Sequence, residues 1–88
     1  MINAPDFSEV QYPAEFHFGI ICESNADVIE AINVIANEYT ITQKLTSSNT
    51  SVSGKYQSYS ISIIFDSRTE MIRFDAGIKA VPGVRMLL

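Results

Sequence analysis

From Glu15 the chain reads E-F-H-F-G-I-I-C, which places Phe16, Phe18, Ile20 and Cys22 on one side at a period of two. That period predicts a half-buried strand. The next stretch, E-S-N-A-D-V-I-E-A-I-N-V-I-A-N-E-Y, changes to helical spacing, with Val28, Ile32, Ile35 and Tyr39 on one stripe and Glu30 and Glu38 off it. Ser24 or Asn25 supplies an N-cap and Asp27 an acid in the first turn, so a helix with one buried and one solvated side is expected. T-I-T-Q-K-L-T is short and alternating, with Ile41 and Leu45 facing one way and Thr42, Lys44 and Thr46 the other. Its polar side chains and lysine suit a sheet edge.

After a Ser/Asn/Thr loop ending at Gly54 comes the longest alternation. Tyr59, Ile61, Ile63 and Phe65 form one face, and Tyr56, Ser58, Ser60 and Ser62 the other. Ser67-Arg-Thr-Glu70 then has the spacing of a capping box, in which the serine hydroxyl accepts from an amide near Glu70 while the glutamate reaches back. Met71, Phe74 and Ile78 give the second helix its apolar stripe. Pro82-Gly83 end it before V-R-M-L-L, a last strand with Val84, Met86 and Leu88 expected on one face.

The predicted order is strand, helix, strand, strand, helix, strand. Each strand has one apolar face and two helices are available to cover it, which specifies an α+β fold: a ferredoxin-like βαββαβ sandwich with both helices on one side of an antiparallel sheet. Right-handed crossovers imply the strand order 4-1-3-2, with strands 1 and 3 central. Residues 1–11 carry scattered apolar groups among Asn, Pro, Asp and Ser, so a mobile N-terminal tail is expected before a single domain over 12–88.

Composition narrows the chemistry. With 47% hydrophobic residues and nine aromatics in 88 residues, one core forms without metals or disulfides. A single cysteine, Cys22, excludes an internal disulfide and lacks the repeated spacing of a zinc or iron–sulfur site. No metal or other cofactor is expected. The start M-I-N-A-P-D-F-S-E-V-Q has neither the basic nor the apolar region of a secretory signal, and no apolar run reaches membrane-spanning length. A reduced, cytoplasmic protein without membrane attachment is the expectation.

The net charge of −4 is unevenly spread. Residues 1–43 hold seven acids and no Lys or Arg, −7, whereas 44–88 hold six bases and three acids, +3. Within one fold the two halves neutralise each other, although the same split can steer an association.

Candidate catalytic features are few. A phosphate-binding loop needs several glycines between a strand and a helix, whereas Gly54-Lys55 leads into a strand; Gly54 reads as a turn residue with positive φ. RNA recognition on this topology stacks bases on aromatic residues of strands 1 and 3, but the exposed face offers Tyr56 followed by serines, and Glu15 and His17. Nucleic acid is therefore not an expected partner of this acidic chain. The loop C-E-S-N-A-D after strand 1 has no basic residue to hold a phosphoryl group. His17 is the only histidine and reads as a solvent-facing side chain; Cys22 reads as a small core residue. No catalytic residue is assigned.

The segments Y-P-A-E-F-H-F-G-I, S-G-K-Y-Q-S-Y-S-I-S-I, D-S-R-T-E and V-P-G-V-R-M-L-L resemble the landmarks of the small bacterial YbeD-like family, a domain of unknown function. The resemblance runs from Tyr12 to Leu88, and its most specific part is Ser53-x-Gly54-Lys55-Tyr56-x-Ser58. It implies a fold similar to ACT regulatory domains and a role as a lipoic-acid-binding regulator. One departure matters: where family members commonly carry a cysteine after the early proline, Ala14 follows Pro13. A thiol role at that position is absent, and Cys22 is not its equivalent.

What remains is the sheet face away from the helices. It is expected to display Glu15 and His17, Thr42 and Lys44, Tyr56, Ser58 and Ser60, and Arg85. The binding candidates are His17, Lys44, Tyr56, Ser58, Ser60 and Arg85, with Lys44 or Arg85 supplying charge and Tyr56 contact area. The expected function is a non-catalytic regulatory or adaptor domain that binds a protein partner through this face. The alternative is an ACT-like sensor of a small carboxylate, lipoate among them, at a dimer interface. Free edges on strands 2 and 4 allow a monomer or a weak homodimer.

Overall fold

A computed structural model of the protein describes residues 10–48 and 54–88. Its elements are β1 (Ala14–Glu23), α1 (Ala26–Ala36), β2 (Thr40–Ser47), β3 (Tyr56–Phe65), α2 (Arg68–Lys79) and β4 (Val84–Leu87). The strands form one antiparallel sheet in the order β2-β3-β1-β4, the expected ferredoxin-like arrangement. Most of the expected tail, residues 1–9, lies outside the described residues, as does Ser53 of the family motif.

Local chemistry sets the helix ends. The Asn25 side chain accepts from the Asp27 amide at 2.8 Å and is the N-cap of α1. Ser67 caps α2, accepting from the Glu70 amide at 3.2 Å, while the Glu70 carboxylate reaches one residue further back than the expected box, to the Asp66 amide at 2.8 Å. The first helix stops earlier than its apolar stripe suggests. Asn37 is its C-cap, so Tyr39 lies beyond the helix, where it packs edge-on against Phe65 and Phe74 and accepts from Arg73 Nε at 3.1 Å.

The core lies between the helices and one sheet face. Ile20 and Cys22 of β1, Ile61, Ile63 and Phe65 of β3, Val28, Ile32 and Ala36 of α1, and Phe74 and Ile78 of α2 are buried there. Burying an aliphatic or aromatic side chain stabilises by about 1.5–3 kcal/mol each, so this face alone holds the helices down. Gly54 has φ +71 and Gly83 φ +98. The first meets the expectation of a left-handed turn before β3, and the second lets the chain pass against Val28 on its way into β4.

Two edge strands depart from simple alternation. In β2 the pairing slips between Ile41 and Gln43 and again between Gln43 and Thr46. Thr42 and Gln43 therefore share the open side, and Lys44 and Leu45 share the helix side. In β4 a bulge opposite Ile21–Cys22 turns Val84 and Leu87 to the core and leaves Arg85 and Met86 together on the open face. Met86 and Leu88 were expected beside Val84 on the core face; they are instead 48% and 68% exposed.

Candidate functional site

The unbroken β1–β3 register fixes the open face: Glu15 opposite Ile64, His17 opposite Ser62, Gly19 opposite Ser60, Ile21 opposite Ser58 and Glu23 opposite Tyr56. His17, Tyr56, Ser58, Ser60 and Arg85 all stand on it, as expected. Lys44 does not. The double bulge carries it to the other side, where it borders a cleft of about 480 Å³ with Asn33, Asn37, Ile41 and Leu45.

The open-face residues separate into two groups. At the Tyr56 end, Arg85 donates to the Tyr56 hydroxyl at 2.9 Å while its guanidinium lies 5.3 Å from the ring centroid. The Lys55 ammonium lies 5.7 Å from the same ring, so Tyr56 is flanked by two cations. Met86 and Leu88 continue this end as exposed apolar groups, Leu88 standing over Gly19. Sequence reasoning missed both, because nothing in V-R-M-L-L announces the bulge.

At the other end, His17 Nδ1 is 2.6 Å from the Ser62 hydroxyl, and its Nε2 is 3.7 Å from a Glu15 carboxylate oxygen. Thr42 donates to the other Glu15 oxygen at 2.5 Å. Ser62 is buried, and its hydroxyl also lies 3.3 Å from Gln43 Oε1, a second acceptor for its proton. Carboxylate, imidazole and hydroxyl are thus aligned, and the tautomer of His17 sets which of the ring and the hydroxyl donates in the 2.6 Å contact. A serine nucleophile needs its proton directed to a ring nitrogen that can take it, and it needs access to substrate, whereas Ser62 is buried. Ser62 and Gln43 were the members of this network that sequence reasoning did not single out. Ser62 is six steps along β3 from Tyr56, about 20 Å at the usual rise, so the two groups are separate sites.

Cys22 is fully buried in the core, and that burial, with the Glu23 carboxylate beside it, pushes its thiol above the usual range. It is a packing residue. Among the described residues no group of three or more His, Cys, Asp or Glu gathers to hold a metal ion, and no helix is long and apolar enough to cross a membrane.

Comparison with known proteins supplies a family. The chain is similar to protein HP0495 from H. pylori, whose solution structure it matches with a TM-score of 0.68 at 19% identity, over 100% of this chain and 98% of that one. At that identity the likeness establishes the fold alone. None of the curated proteins matches the chain. Residues 8–88 match the family model described as protein of unknown function (DUF493), and with nearly the whole chain inside that match the chain belongs to the DUF493 family.

Proposed function

We propose that this protein is a cytoplasmic, non-catalytic adaptor that holds an acidic, partly apolar segment of a partner protein against the β4 half of its open sheet face. The observation that carries this reading is Tyr56 with the Arg85 and Lys55 cations against its ring, and Met86 and Leu88 exposed on the same face. Tyrosine, arginine and methionine are enriched where interfaces concentrate their energy, and an aromatic already fixed by a hydrogen bond loses little freedom on contact. The two cations favour carboxylates, and the exposed methionine and leucine favour apolar contact. No catalytic step is assigned to Ser62, which is buried.

The resemblance to YbeD-like proteins adds a context, lipoate metabolism, and a partner class, a lipoyl carrier domain. The experiment is an amide chemical-shift titration with free lipoate, then with a carrier domain bearing or lacking its lipoyl group. Shifts gathered at Lys55, Tyr56, Arg85, Met86 and Leu88 support the adaptor reading, and their dependence on the lipoyl group supports the context. Saturation of all sites without movement of these residues overturns it.

A second reading, a sensor of a small carboxylate, is favoured by the cleft between α1 and β2. Its apolar floor of Ile41 and Leu45, two carboxamides from Asn33 and Asn37, and the Lys44 ammonium suit a short apolar acid. The same titration separates the readings, because this ligand shifts Asn33, Asn37 and Lys44 and leaves Tyr56 still.

A further inference from the structure

β4 covers β1 only in part. It pairs with Ile20, Ile21 and Cys22, and through Leu88 with Gly19; among the described residues none pairs with the stretch Ala14–Phe18 on that side. The direction of the uncovered groups follows from strand geometry. Gly19 donates to the Leu88 carbonyl at 3.2 Å and accepts from the Leu88 amide at 2.8 Å, and Glu23 donates to the Gly83 carbonyl at 2.9 Å. Odd-numbered residues of β1 therefore turn their backbone groups toward β4. Since the register against β3 is unbroken, Glu15 and His17 turn theirs the same way, into the uncovered edge.

An uncovered stretch on a central strand is a template for another strand. On the helix side of the same stretch, Tyr12, Phe16 and Phe18 stack in a row with centroids 6.3 and 6.2 Å apart, and all three are only half-buried. The edge thus offers backbone hydrogen bonds beside incompletely covered aromatic surface.

We infer that this edge pairs with the same edge of a second copy of the chain, antiparallel, about a two-fold axis at Phe16. Of the symmetric registers, this one satisfies the most constraints. An axis at Glu15 sets the two Glu15 carboxylates opposite each other. An axis at His17 sets Glu15 against Gly19, whose backbone groups are already used by Leu88. With the axis at Phe16, Glu15 of each copy faces His17 of the other, as hydrogen-bonded pairs that exchange both backbone bonds. An acidic side chain then stands opposite a basic one on the open face, twice. On the helix side Phe16 meets its own copy at a non-hydrogen-bonded position, where side chains come closest. The strand begins at Ala14, after a bend at Tyr12 and Pro13, so the ladder ends with Ala14 opposite Phe18, one position short of Gly19 and the other copy's Leu88. The ladder is short, so association is weak and depends on concentration.

The test combines sedimentation velocity from micromolar to millimolar protein with amide hydrogen exchange over the same range. The expected result is a monomer–dimer equilibrium in which the Glu15 and His17 amides gain protection as the dimer fills. His17→Glu places carboxylates opposite each other at both pairs and weakens the dimer about tenfold. The double variant Glu15→Lys/His17→Glu restores opposite charges in the same register and recovers most of that loss; circular dichroism confirms that each variant is folded. A monomer throughout the range overturns the proposal, as does a dimer that leaves these two amides unprotected. Protection of both amides in a monomer overturns it as well, because the edge would then be covered from within the chain.

Discussion

Gly83 and Gly54 permit the same substitution in two different surroundings, and the difference in cost tests how the β4 connection is held. Both have positive φ, +98 and +71, so an alanine at either pays a backbone penalty of about 1–2 kcal/mol. Their neighbours differ. A Cβ built at Gly54 meets no heavy atom of the described residues within 4 Å, whereas one at Gly83 falls 2.7 Å from Val28 Cγ2 and 3.5 Å from Val28 Cγ1. Val28 is buried in α1 and has little room to give, so Gly83→Ala adds an overpacking cost of about 1–3 kcal/mol. The expected losses are about 1–2 kcal/mol for Gly54→Ala and about 2–5 kcal/mol for Gly83→Ala. An 88-residue domain has roughly 4–13 kcal/mol in all, so the second variant is measurably fragile. Urea denaturation followed by circular dichroism gives both values, with an unchanged slope confirming that the two states are still being compared. Val28→Ala in the Gly83→Ala background removes the clashing methyl groups and should cost less than it does alone, a favourable coupling of about 1 kcal/mol or more in the double-mutant cycle. Equal losses at the two glycines, or no coupling with Val28, would refute the argument that close approach is what fixes glycine at position 83.

Three further outcomes are expected. Ser62→Ala leaves His17 and Gln43 without their shared partner and costs about 0.5–1.5 kcal/mol by denaturation, while the His17 ring resonances move toward those of a solvated imidazole. Because the folded Cys22 thiol is held above its usual range, its contribution to stability is fully present below the ordinary thiol pKa and is lost as pH rises through the raised value; Cys22→Ala should therefore flatten the alkaline arm of a plot of urea midpoint against pH, and native Cys22 should resist alkylation until the chain is unfolded. Met86→Asp, on the exposed face, should change stability by less than about 0.5 kcal/mol yet remove the chemical-shift response of Tyr56 and Arg85 to an acidic partner segment; a retained response would show that Met86 is not part of the docking surface.

Much of this molecule was legible along the chain because its information is local. Period-two alternation in β1 and β3, helical spacing in α1 and α2, the Asn25 and Ser67 caps and the turn at Gly54 each depend on residues within one element or its ends. The element order then left few topologies, and the sheet order β2-β3-β1-β4 followed from handedness. His17, Tyr56, Ser58 and Ser60 reached the open face for the same reason, since a continuous register carries a two-residue period without error, and Arg85 did so because it directly follows the core-facing Val84. Tertiary structure decided the rest at the edge strands. The slips in β2 and the bulge in β4 arise from fitting one strand to its neighbour, and each extra residue reverses which face the following side chains take. That is why Lys44 left the predicted site, why Met86 and Leu88 joined it, and why one expected polar surface became two groups. The close approach of Gly83 to Val28 and the bare edge at Ala14–Phe18 were equally out of reach of the sequence, because both depend on where a distant segment of chain comes to rest.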